Sequence, residues 1–419
     1  MRHGPGNDLS EDLMRRITRV LAVGAVLAAM GSLGVTTGAA QAPAAAPPPP
    51  LAIHIGLLTR AVEPPPLYDL KAPPDDEGLA GARLAIKDNV TTGAFIGQDF
   101  ALDEAVLQSD EDPVAAALAL AKGGAGFIAV NLPAADLLKV ADALKPSGTV
   151  VFNIGATDDA LRGADCRANL FHVAPSRAML ADALVQYLAT RKWTRLFLVT
   201  GPAAEDALYA AALKHAAAKF GVKVVAEKPW TFGPLARQRG DTPTQADALV
   251  FTRGTEYDVL VVADEAGDFG DYIPYHTEQP KLVAGTQALV AATWHPAQDA
   301  WGSAQLQSRF LRLASRTMTQ VDYQAWLAVR LVGEAATRLK SADAARYAAL
   351  FRGPDFSIAA FKGVPVSFRA WDQQLRQPLL IAQPSAIVSV SPQDGYLHRA
   401  TVLDTLGTDA PETACKMAP

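Results

Sequence analysis

The chain has 419 residues, half of them hydrophobic and 19% charged, which is too long for one ordinary core and too apolar to stay disordered. Acidic side chains number 43 against 38 basic ones, a formal net charge of -5, so no basic excess exists to displace counterions from nucleic acid. Two cysteines exclude a cysteine-rich zinc module or a multi-disulfide scaffold.

Residues 1–13 are polar, and Met14 opens a better signal than Met1; either is a possible start. From Met14 the order is a basic run (MRRITRV), an apolar run (LAVGAVLAAMGSLGV) and small residues (TTGAAQA). That order predicts a secretory signal over 1–40, cut after Ala40, and hence a periplasmic location. An uncleaved anchor over 20–40 is the alternative, weakened by its Gly and Thr content. Residues 41–50 read as a stiff Pro/Ala-rich spacer. In an oxidising compartment Cys166 and Cys415, both in loop-like sequence, are expected to form a disulfide tying the C-terminal tail (411–419) to the middle of the chain.

The body alternates strands and helices. LAIHIGLL (51–58) reads as a strand and GLAGARLAIKDNV (78–90) has helical periodicity. Asp112 and Pro113 open a helix over 112–122. GFIAVN (126–131) and TVVFNIG (149–155) read as buried strands around a helix at 133–144. Ser176 caps a helix to residue 192; RLFLVTG (195–201) precedes a helix ended by Gly221. VKVVAE, DVLVVADE and KLVAG follow as strands, then two helices over 305–316 and 322–340, then paired strands in 364–371 and 378–390. Uniformly apolar strands between helices predict an α/β fold: two doubly wound parallel-sheet lobes joined by hinge crossovers. Lobe one is expected to take 51–170 and 291–350, and lobe two 171–290 and 351–410. Ligands of such sheets meet the carboxyl ends of the strands, so hinge closure over a cleft is the expected mechanism.

The opening IHIGLL, the helix GLAGARLAIKDN and the two α/β series resemble type I periplasmic solute-binding proteins, of which the leucine/isoleucine/valine-binding proteins of ABC importers are well-known members. DDALRGADCRANLFHVAPSRAMLADALVQYL, YDVLVVADEAGDFGDYIPY, FKGVPVSFRAWDQQLRQPLL and SPQDGYLHRATVLDTLG resemble the subfamily associated with pyrroloquinoline-quinone-dependent alcohol dehydrogenase systems. The resemblance implies a monomeric periplasmic component that carries a small ligand to an inner-membrane ABC permease, and in some settings lanthanide acquisition. It implies no cofactor. The chain departs from the amino-acid binders at the turn after the fourth strand, Asn153-Ile154-Gly155-Ala156-Thr157-Asp158-Asp159. Thr157 keeps a hydroxyl there, but the serine partner is missing and two acids follow, which repel a carboxylate.

The strand-end loops supply the candidate ligand-binding residues: Asp75, Glu77, Asn131, Asn153, Gly155, Thr157, Asp158, Asp264, Glu265 and Thr286. Asp75, Glu77, Asp264 and Glu265 are also candidate ligands for calcium or a lanthanide, because hard cations gather six to eight oxygens. Helix capping is the competing role for the first cluster, above all for Asp76. The histidines are scattered and form no helical pair for zinc. No G-x-S-x-G elbow, P-loop or H-E-x-x-H is present, so an enzyme is not expected. A sensor or scaffold with the same fold is the remaining alternative.

Overall fold

The computed structural model describes residues 49–62, 73–232 and 247–417. The expected signal segment and most of the spacer lie outside them. The first sheet is built from β1 (Leu51–Arg60), α1 (Leu79–Ile96), β2 (Gln98–Leu107), α2 (Pro113–Lys122), β3 (Phe127–Asn131), α3 (Ala134–Leu144), β4 (Val150–Asn153) and β5 (Leu170–His172). Its five strands run parallel in the order β2-β1-β3-β4-β5. Alternate strand residues face opposite layers. Ile53, Ile55, Phe127 and Phe152 pack on one side, and Leu58, Ile128, Val130 and Val151 pack on the other against α2 and α3.

The second sheet follows with α4 (Arg177–Thr190), β6 (Arg195–Thr200), α5 (Ala204–Lys219), β7 (Lys223–Pro229), α6 (Ala248–Thr252), β8 (Val259–Ala263), β9 (Leu282–Gly285) and β10 (Leu289–Ala292). The chain then returns to the first sheet through α7 (Ser303–Ala314), α8 (Gln320–Leu339), α9 (Ala344–Arg352) and the hairpin β11 (Ser367–Phe368) with β12 (Leu375–Arg376). Finally β13 (Leu379–Gln383) and β14 (Ala386–Ser391) join the second sheet, whose order is β14-β13-β10-β9-β8-β6-β7. Only β10–β13 and β13–β14 are antiparallel there. Leu196, Leu198, Val259 and Val261 meet α4 and α5, while Phe197, Val199, Leu260 and Val262 meet Trp230, Tyr257 and Phe269. The chain therefore crosses between the sheets near residues 173–176, 293–302 and 376–379.

The boundary of the second lobe needs one correction. Residues 351–375 were expected there, yet Phe356, Ile358, Val366, Phe368 and Leu375 pack in the core of the first sheet. Their apolar side chains continue the surface that α9 offers, with Phe351 in edge contact with Phe356 at 4.9 Å. The α1–α8 crossing explains one glycine: a Cβ on Gly81 would lie 1.9 Å from the Asp322 carbonyl oxygen. Cys166 and Cys415 are disulfide-bonded. Among the described residues no helix is long and apolar enough to cross a membrane.

Candidate functional site

The site grows from the turn after β4. Asn153 is fully buried, and its Oδ1 accepts the N–H groups of Gly155 (3.1 Å) and Ala156 (2.9 Å). Its amide therefore shapes the turn and is not free for a ligand. Gly155 packs so closely on Asn131 that a Cβ would sit 2.1 Å from the Asn131 Oδ1. The far side of the turn docks on the N-terminus of α4. The Thr157 carbonyl accepts the Arg177 N–H at 2.8 Å, and Asp159 Oδ1 accepts the Ala178 N–H at 3.0 Å. Ser176 caps the same helix through Met179 N–H. Beneath the turn, buried Arg162 donates to the carbonyls of Ala156, Asp158 and Ala174 and to Gln374 Oε1. Burial pulls its pKa down to about 10, against the pull of Asp159 and other acids.

Arg177 joins the two sheets. It belongs to α4, which packs in the second core, and its side chain is only 5% exposed. Its Nε and Nη2 grip Glu265, the residue two beyond β8, at 2.9 and 2.7 Å. Its Nη1 lies 3.0 Å from Asp158 Oδ1 of the β4 turn, in ion-pair rather than hydrogen-bonding geometry. Burial opposes the charge on Arg177, but Glu265 and Asp158 outweigh it and hold the guanidinium above its ordinary value. Burial, Asp158 and Asp206 push Glu265 upward while the guanidinium resists. Glu265 is in turn placed by Asp206, a buried carboxylate that accepts the N–H of Ala203 and of Glu265 itself.

Several expected site residues do other work. Asp264 is buried and accepts the N–H groups of Asp268, Phe269 and Gly270, so it closes its own turn. The Thr286 hydroxyl donates to the Val262 carbonyl and accepts the Asp264 N–H, which locks β9 to β8. Glu77 is hydrogen-bonded to Thr319, and burial raises its pKa. Asp76 does not cap α1; it pairs with Arg316 at 2.8 Å, while the Gly78 N–H goes to Asp322. Asp75 is exposed. The four candidate metal ligands thus have separate partners or face solvent, and among the described residues no group of three or more His, Cys, Asp or Glu could hold a metal. Across the two sheets, the structure joins the expected residues Asp158 and Glu265 through Arg177. Nothing local marks Arg177 in the sequence: it follows Ser176 as an ordinary first helical residue, after a strand of only three residues.

A family model described as periplasmic binding protein matches residues 71–386. The chain belongs to the periplasmic binding protein family. Among solved structures, a periplasmic binding protein from Burkholderia mallei is 16% identical, with a TM-score of 0.63 over 87% of this chain and 98% of that one. The branched-chain amino acid transporter substrate-binding protein LivJ from Streptococcus pneumoniae, in complex with isoleucine, is 15% identical, with a TM-score of 0.59 over 81% of this chain and 98% of that one. A solute-binding protein of an ABC transporter from R. palustris, in complex with benzoate, is 13% identical, with a TM-score of 0.59 over 87% and 100%. These likenesses establish the α/β fold with parallel-sheet lobes. No curated protein sequence matches this chain.

Proposed function

We propose that this periplasmic binding protein is exported as the substrate-binding component of an ABC importer, and that it captures a small organic ligand between its two sheets. One observation carries the reading: the carboxyl-edge turns of β4 and β8 are linked through Asp158, Arg177 and Glu265. A ligand that enters there touches both lobes, so its binding shifts the equilibrium between them. Two carboxylates against one guanidinium leave this edge acidic, and Arg177 is already engaged. The favoured ligand is therefore neutral or cationic rather than a free carboxylate. The strings around Cys166 and in 391–407 support a role beside pyrroloquinoline-quinone-dependent alcohol oxidation. A calcium or lanthanide role draws no support from the four acids, whose partners differ.

Thermal melting with single compounds tests the reading. Agmatine, short alcohols and aldehydes, leucine, benzoate, calcium and lanthanum are the probes. A neutral or cationic organic compound is expected to raise Tm, because saturation at about 100 Kd adds about 2.7 kcal/mol to native stability. Glu265→Gln should weaken that compound roughly tenfold or more, the loss of a charged hydrogen bond. No shift with any compound would overturn the binding role; a ligand unaffected by Glu265→Gln would overturn the site.

A further inference from the structure

The C-terminal tail reaches across from one sheet to the other. Leu406 sits in the core of the second sheet. Beside it, Thr405 Oγ1 accepts from Gln186 of α4 at 3.1 Å, and the Gly407 N–H donates to Asp182 of α4 at 2.8 Å. Lys219 at the end of α5 binds Asp182 (2.7 Å) and the carbonyls of Thr405 (3.0 Å) and Gly407 (3.1 Å). These contacts seat 405–407 on the second lobe.

The flanking residues belong to the other side. Asp404 is buried and accepts from Arg369 Nε at 2.9 Å and Arg376 Nε at 2.8 Å, on the β11–β12 hairpin that packs in the first core. The Thr408 carbonyl accepts from Trp371 Nε1 at 3.3 Å. Farther on, Cys415 is bonded to Cys166. The loop holding Cys166 is fastened to the first lobe, since Arg167 pairs with Asp142 of α3 at 2.6 Å and its carbonyl accepts from Gln373.

We propose that residues 401–415 are a strap that limits how far the lobes open, with the Cys166–Cys415 disulfide as its outer stop. Three chain crossovers permit rotation between the sheets; the disulfide adds a fourth covalent connection, formed by a segment that is not itself a crossover. Eight residues beyond Gly407 can extend to roughly 26–29 Å, so the covalent stop is set by chain length. Within that limit the short turn Ala410–Glu412, fixed by Asp409 through the Ala410 N–H (2.7 Å) and by the His398–Asp409 pair (3.1 Å), must unravel before the tether tightens. Opening is thus resisted first by the hairpin's hold on Asp404 and Thr408 and then, with 405–407 still seated on the second lobe, by the bond. In an oxidising compartment the bond persists, and a narrow swing favours fast closure on a ligand.

The test is the distance distribution between spin labels placed through non-natural amino acids at Leu118 on α2 and Leu249 on α6, both exposed. The oxidised chain is expected to give one narrow distribution. The Cys166→Ser/Cys415→Ser variant is expected to add a longer-distance population. If that variant fails to fold, native protein reduced after folding, with its circular dichroism unchanged, makes the same comparison. Identical distributions with and without the bond would overturn the strap, whether or not a ligand for the gap is known.

Discussion

Asp404→Asn is expected to lower the unfolding free energy by about 3–5 kcal/mol, the cost of leaving a buried charge without its partner. Asp404 is 1% exposed and Arg369 is 1% exposed, so the pair sits out of bulk solvent and the guanidinium depends on the carboxylate for its counter-charge. Asn keeps the size but not the charge, so Arg369 and Arg376 would share a neutral oxygen. Asp372 lies 3.7 Å from Arg369 and compensates only in part. Urea unfolding of the oxidised protein checks this: the midpoint should fall with the slope unchanged. A loss below about 1 kcal/mol would place the Arg369–Asp404 pair among weakly coupled ion pairs.

Lys362→Met is expected to act in the opposite direction. Lys362 is buried, its ammonium lies over the Tyr323 ring at 4.8 Å, and it donates to the Thr293 carbonyl. Burial pulls its pKa from 10.5 to about 7. Between those values the unfolded chain binds the extra proton, so stability rises with pH across that window and is lost as pH falls toward 7. At 1.36 kcal/mol per pKa unit the penalty below 7 is on the order of 5 kcal/mol. Methionine fills a similar volume without the charge and should stabilise the protein at pH 7 by about 1–4 kcal/mol. It should also flatten the rise between pH 7 and 10. A destabilised variant with the original pH slope would contradict this. Thr293 lies on the crossover from β10 to α7, so the same substitution bears on the hinge.

Much of the fold was legible because buried parallel strands read as apolar runs. FIAVN, RLFLVT and VLVVA are strands of this kind. β2 was not legible: QDFALDEAVL lies at the edge of its sheet and carries acids along its length. β5 has three residues, and β10 reads LVAA, which suits a helix equally well. The site was legible only in part. Asp264 and Glu265 are neighbours after one strand, yet the first is turned inward to close its loop and the second meets Arg177. Composition cannot separate them, since successive side chains at a strand end point opposite ways. The Arg177–Glu265 pair spans 88 positions, so no local pattern announced it.

Hydrogen exchange of the protein with and without the ligand found by melting tests the shared gap most directly. Simultaneous protection is expected at 153–159, at 176–179 and at 263–266, on both strand edges. Protection confined to one edge, or gained only at sites remote from both, would contradict capture between the lobes.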